Sequence, residues 1–123
     1  MFEGREPIYV QIARRIRAEI LAGTLPEEEQ VMSTTQYATT YRINPATAAK
    51  AFAELVDEGL LYKRRGVGMF VAAGARDRLL GEHRQSYFTD VLDPALAQAA
   101  VLGIDVEELV EHITRTHPRG TAR

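Results

Sequence analysis

The chain has 123 residues, a net charge of −2 from 15 Lys+Arg against 17 Asp+Glu, and no cysteine. That length holds one ordinary domain or a small module with an appendage. The charge balance excludes a bulk polycation of the histone kind, and the lack of cysteine excludes disulfides, thiolate zinc sites, iron–sulfur clusters and a Cys nucleophile. With 46% hydrophobic and 26% charged residues the chain can build a core, so disorder is not expected. The first seven residues, Met1-Phe2-Glu3-Gly4-Arg5-Glu6-Pro7, contain no apolar signal region. The longest apolar stretch, Gly66 to Ala75, is about half the roughly 20 residues of a membrane helix. A soluble protein of the cytoplasm is expected.

Charge is unevenly placed. Residues 1–74 carry nine basic and nine acidic groups and residues 75–123 six and eight. Within 33–74 there are five basic groups (Arg42, Lys50, Lys63, Arg64, Arg65) against three acidic ones (Glu54, Asp57, Glu58). Any anion-binding surface should therefore be local and lie there.

The first helix is expected to begin near Pro7, which a first helical turn tolerates. Ile8, Ile12, Ile16 and Ile20, joined by Ala13, form its inner stripe, and Gln11, Arg14, Arg15 and Glu19 its outer face. Gly23 ends it as a left-handed cap, and Thr24 to Met32 reads as a loop. Ser33 with Gln36 is a capping-box signature for a short helix to about Thr40, with Tyr37, Ala38 and Tyr41 inward. Asn44-Pro45 starts another helix, Asn as cap and Pro at the first position. Its stripe is Ala48, Ala51, Phe52, Leu55 and Val56, and Gly59 stops it. Leu60–Lys63 and Gly68–Ala72, joined by Arg64-Arg65-Gly66-Val67, fit a β-hairpin.

From residue 75 the pattern is helical again. Phe88, Val91, Leu92, Ala95, Leu96, Ala99 and Leu102 keep one helical phase through Pro94. This favours a kinked continuous helix over two separate ones, although an interior Pro must be compensated. Gly103 ends the segment. Asp105 with Glu108 opens a last helix carrying Val106, Leu109, Val110 and Ile113, and His117-Pro118 begins a frayed tail. The fold class is thus mainly α with a small β-hairpin. A winged helix-turn-helix is expected over 1–74 and a helical region over 75–123.

A capped helix, a tight connection, a second capped helix and a basic-tipped hairpin point to DNA. A helix-turn-helix sets its second helix in the major groove, with N-terminal side chains toward base edges. Opposite the core stripe, the Pro45 helix carries Ala46, Thr47, Ala49 and Lys50 near its start. Small residues there permit close approach, Thr47 can bond phosphate or base, and Lys50 brings charge. Exposed N–H groups at a helix start also favour phosphate. Lys63-Arg64-Arg65, followed by Gly66 and Gly68 in a flexible turn, can lie along a minor groove or phosphate row. A solvated hairpin tip and a plain helical pair are the alternatives.

Pro7-Ile8-Tyr9-Val10-Gln11-Ile12, Gly23-x-Leu25, Ile43-Asn44-Pro45-Ala46-Thr47-Ala48-Ala49-Lys50-Ala51-Phe52, Glu54-Leu55, Glu58-Gly59-Leu60 and Arg65-Gly66-Val67-Gly68-Met69-Phe70-Val71 resemble the winged helix-turn-helix of GntR-type bacterial transcription regulators. The Asn-Pro-x-Thr helix start and the short helical tail resemble the small YtrA-type branch. The likeness is strong over residues 6–72 and looser over 75–116. It implies a tail that mediates homodimerisation and control of genes that often encode ABC transporters. The chain departs from the family pattern in several places. The usual Pro-Ser-x-Arg is here Met32-Ser33-Thr34-Thr35, two further family arginines fall on Pro45 and Ala49, and the wing threonine is Met69. Arg42, Lys50 and the hairpin cations are the residues left to compensate. The expected DNA-facing set is Ser33, Thr35, Arg42, Asn44, Ala46, Thr47, Lys50, Lys63, Arg64, Arg65, Gly66 and Gly68.

The tail stripe of Phe88, Val91, Leu92, Leu96, Val106, Leu109, Val110 and Ile113 cannot bury itself in two helices. A twofold interface with a second copy is expected, with folding back onto the winged helix as the alternative. Of the three histidines, His112 and His117 are five apart and share no helical face, so surface or interface roles fit better than metal binding. Gly66-Val67-Gly68 is too short for a dinucleotide loop. Ser33 and Ser86, the only serines, sit in no nucleophile elbow. No metal, no cofactor and no enzymatic activity are expected. The expectation is a homodimeric regulator, a repressor, on a palindromic DNA operator, with any small-molecule effector left open. The alternative is a non-catalytic protein-interaction module that keeps the winged helix with weak or no DNA binding.

Overall fold

A computed structural model of the chain describes Phe2 and residues 4–118; the end of the tail expected to fray lies outside them. The elements run α1 (Ile8–Ala22), β1 (Gln30–Val31), α2 (Thr34–Tyr41), α3 (Pro45–Asp57), β2 (Leu61–Arg64), β3 (Gly68–Val71), α4 (Ala75–Tyr87), a π-helical turn (Phe88–Leu92), α5 (Asp93–Val101) and α6 (Val106–Thr116). Two compact units divide after Glu82. The first extends beyond residue 74 because Ala75 and Leu79 of α4 are buried in its core.

In the first unit Pro7 flanks α1 instead of opening it, and Gly23 closes it at φ 84. Ile12, Ala13, Ile16 and Ile20 are buried, whereas Ile8 lies at the exposed margin. The stripe of α3 behaves alike: Ala48, Ala51, Phe52 and Leu55 are buried and Val56 is exposed. Both outliers sit at the edge of an apolar face, where periodicity alone does not tell core from rim. Tyr37 of α2 packs edge-on against Phe52, ring centroids 5.6 Å apart, and lies 4.6 Å from Tyr41.

The expected hairpin is present as β2 and β3, and a third strand, β1, completes the sheet. β3 is central, antiparallel to β2 (Lys63 opposite Met69) and to β1 (Val31 opposite Met69). The extra strand arises within the segment read as a loop. Two residues are too few to show alternation, but the Gln30–Val31 backbone completes the edge of β3.

The α2–α3 connection is tight for identifiable reasons. Ser33 and Gln36 form the capping box that opens α2. α2 closes on Arg42 at φ 55, and the N–H of Ile43 reaches back to Ala38 O at 2.9 Å. Asn44 then caps α3, with Pro45 in its first turn.

In the second unit the helical backbone continues through Pro94. Tyr87, Leu92 and Asp93 all keep right-handed helical angles, and the Asp93 N–H donates to Phe88 O, five residues back. Pro lacks an N–H and crowds the carbonyl four residues before it; widening the preceding turn accommodates both. A wide turn holds more than 3.6 residues, so the stripe read with a single phase is offset there. Asp105 and Glu108 form a capping box at the start of α6. Most apolar side chains of this unit are exposed: Val106 is 69% exposed and Val110 and Ile113 each 55%.

Candidate nucleic-acid interface

α2, α3 and the β2–β3 wing share one compact unit, so every residue expected to face DNA lies on it. At the start of α3, Ala46, Ala49 and Lys50 are exposed and Thr47 is half-buried. The backbone there is less available than expected. Asn44 Oδ1 accepts from the Ala46 N–H at 2.8 Å, and Asn44 O accepts from Thr47 and Ala48 at 3.0 and 3.1 Å. With Pro45 contributing no donor, these N–H groups are already satisfied, which blunts the phosphate site a bare helix start would offer. Ser33 Oγ similarly accepts from the Gln36 N–H at 3.1 Å, while Thr35 and Arg42 are exposed.

Lys50 does not extend freely into solvent: its Nζ lies 4.1 Å from the centroid of the Tyr9 ring on α1. In the wing, Arg64 lies 5.0 Å from the Phe70 ring centroid, and Lys63 and Arg65 are exposed. Gly66 (φ 77) and Gly68 (φ 143) supply the conformations the turn needs. A Cβ on Gly68 would also fall 2.5 Å from Gln30 Nε2. That amide donates to Val67 O at 2.9 Å and ties β1 to the wing tip. Tyr62, stacked on Phe70, donates its hydroxyl to Glu28 at 2.6 Å, which raises the phenol above its ordinary value. Met69, in place of the wing threonine, is half-buried against the core.

The cations divide by element. On α1, Arg14 pairs with Glu6, Arg15 with Glu19, and Arg17 with Glu58 at the end of α3. The hydrogen bonds from Arg14 hold the Glu6 carboxyl below its usual range. Among the described residues Arg42, Lys50, Lys63, Arg64 and Arg65 make no ion pair with a carboxylate. These five lie at the end of α2, near the start of α3 and on the wing, while Glu54 and Asp57 sit toward the far end of α3; Arg5, Arg76, Arg78 and Arg84 likewise make no carboxylate ion pair among the described residues. Gln30 and Tyr9, which position the wing and Lys50, were not legible in the sequence. Neither belongs to a charge run or cap, and each acts on a residue distant along the chain.

This arrangement defines a winged helix-turn-helix, a DNA-binding class. A family model described as "Bacterial regulatory proteins, gntR family" matches residues 8–71. The HTH-type transcriptional regulator YhcF of Bacillus subtilis is 30% identical over 112 residues, 91% of each chain. The HTH-type transcriptional repressor YtrA of the same organism is 30% identical over 107 residues, 87% of this chain and 82% of that one. Among solved structures, AraR(DBD) in complex with operator ORR3 matches with TM-score 0.53 and 30% identity over 57% of this chain and 84% of the other. The chain belongs to the GntR family of DNA-binding, non-enzymatic bacterial transcription regulators. Among the described residues no helix is long and apolar enough to cross a membrane.

Proposed function

We propose that this regulator is a homodimeric repressor acting in the cytoplasm on a palindromic operator. α3 enters the major groove through Ala46, Thr47 and Lys50, with Ser33, Thr35, Arg42 and Asn44 at its flank. Lys63, Arg64 and Arg65 on the Gly66–Gly68 wing meet flanking backbone or minor groove. The observation that carries the reading is the gathering of cations without carboxylate partners on these elements. The repressor assignment is supported by the name of the YtrA relative.

Dimerisation through residues 83–118 is supported by the exposure of Phe88, Val91, Leu96, Val106, Val110 and Ile113, with Leu92 and Leu109 half-buried. Each such side chain gains about 1.5–3 kcal/mol on full burial, and a twofold interface buries the same face of both copies at once.

Sedimentation and a gel shift against the upstream region of the protein's own gene test the reading. The expected result is a dimer whose salt-sensitive specific complex protects two half-sites roughly 34 Å apart, or a multiple of that spacing. Val110→Asp with Ile113→Asp should give folded monomers with much weaker operator binding. Wild-type monomers indifferent to the fragment in low salt would refute it. A dimer without a specific complex would favour the protein-interaction role, which the loss of arginine at Thr35, Pro45 and Ala49 makes the main rival.

A further inference from the structure

We infer that Arg76 and Arg78, in the first turn of α4, are positioning residues: they seat this helix on the ends of α1 and α3 and thereby set the half-site spacing that the dimer accepts. The inference rests on the homodimeric operator reading above.

α4 begins on a narrow apolar contact. Ala75 and Leu79, one turn apart, are 1% and 2% exposed, and two residues on one line leave a helix able to roll about that line. At about 100° per residue, Arg76 and Arg78 leave the helix about 80° to either side of it. Each reaches a different helix. Arg76 Nε donates to Leu21 O near the end of α1 at 2.9 Å, and Arg78 donates to the O of Glu58, the C-cap of α3, at 2.7 Å. Helix ends leave such carbonyls without an intrahelical donor, and a cation there also complements the helix dipole. Glu58 is held from a second direction, because its carboxylate accepts from Arg17 Nε of α1 at 2.9 Å. A Cβ on Gly59 would overlap the Arg78 guanidinium, so the glycine that follows α3 also makes room for the arginine. α1, α3 and α4 thus meet at one residue.

α4 is one helix from Ala75 to Tyr87, past the division after Glu82. The chain enters residues 83–118 only through it. A dimer built through those residues acts on each α3 through the seat of α4. A seat pinned on both sides narrows the range of separations at which two α3 helices reach DNA together.

The test uses the full chain and its operator fragment, compared with versions carrying one or two base pairs more or fewer between the half-sites. Each base pair moves a half-site about 3.4 Å along the axis and turns it by about a tenth of a turn. The wild type is expected to lose about tenfold in affinity per base pair, because DNA or protein must deform to restore the fit. Arg76→Met with Arg78→Met keeps the aliphatic stems and removes the donors. It should remain dimeric in sedimentation, bind a single half-site as the wild type does, and lose less than about threefold per base pair. Arg78→Met alone should fall between the two, and carries the comparison if the double variant does not fold. Arg78→Lys, which keeps a donor and the charge, should retain most of the wild-type preference. Residues that only stabilise the fold would lower the melting temperature and leave the spacing preference as it was; that result overturns the proposal. So does wild-type indifference to spacing, or equal relaxation in Arg78→Lys and Arg78→Met. A wild type that forms no specific dimeric complex sinks the operator reading and this proposal with it, whereas an unaltered spacing preference in the variants sinks this proposal alone.

Discussion

Lys50 Nζ lies 4.1 Å from the centroid of the Tyr9 ring, so the cation on the N-terminal face of α3 is held against α1. A contact of this kind is worth about 0.5–1 kcal/mol at an exposed site, comparable with what one phosphate contact supplies. Lys50→Ala should weaken binding to all sequences and lower the salt slope by about one if Lys50 meets phosphate. A loss dependent on the base at one position would mean that it reads a base. Tyr9→Leu keeps an apolar group against the core while releasing the amine, and should tighten binding by about two- to fivefold. Fluorescence anisotropy across a salt series measures both; unchanged affinity in Lys50→Ala would remove the residue from either role.

Gln30 acts on the wing without charge. Its amide holds Val67 O at 2.9 Å, and an exposed bond of this sort contributes about 0.5–1.5 kcal/mol or less to stability. Gln30→Ala should leave the melting temperature nearly unchanged and weaken DNA binding a few-fold with the salt slope intact. Arg65→Ala, which removes a cation, should reduce that slope by about one. Equal slopes in the two variants would show that Arg65 touches no phosphate.

Thr35 is exposed in the first turn of α2, where the family resemblance implies an arginine. Thr35→Arg should lower stability slightly, because a cation near a helix N-terminus opposes the macrodipole by about 0.3–1 kcal/mol. It should nevertheless tighten operator binding, since an arginine–guanine pair is worth about 1–3 kcal/mol of discrimination. Binding selections on randomised half-sites would reveal a new guanine preference. Unaltered affinity and preference would mean that α2 sits farther from the bases than proposed.

Tyr37 makes stability depend on alkaline pH. Its folded value, about 12, stands above the ordinary 10 because burial disfavours the phenolate. The raised value favours the folded state fully below pH 10, and that contribution fades as pH climbs toward 12, by about 1.4 kcal/mol per pH unit within the window. Tyr62 is shifted the same way by its bond to Glu28, so the comparison must be with Tyr37→Phe. Urea denaturation at pH 9, 10.5 and 11.5 should show the wild type losing more stability than that variant. Parallel losses would mean that the phenol ionises without resisting burial.

Much of this was legible because it is local. Ser33 with Gln36, Asn44 with Pro45, and Asp105 with Glu108 announce helix starts through bonds made within three residues. The helix through Pro94 was readable as continuous, yet the π turn that makes it possible leaves no mark on hydrophobic spacing. β1 escaped notice because its two residues matter only through pairing with β3. The occupied N–H groups at the start of α3 follow from Asn44 being a good cap, a consequence that cuts against the phosphate site the same motif suggests. Lys50 against Tyr9, Gln30 under the wing and the buried Tyr37 hydroxyl depend on tertiary placement, to which no spacing rule is sensitive.

Arg42 occupies the left-handed region at φ 55, a conformation that disfavours L residues by roughly 1–2 kcal/mol and that glycine adopts freely. Glycine at this corner would suit the fold better, yet it would remove a positive charge beside the start of α3. Robustness and grip thus pull in opposite directions at a single position: a sturdier protein made by Arg42→Gly would hold its target less firmly.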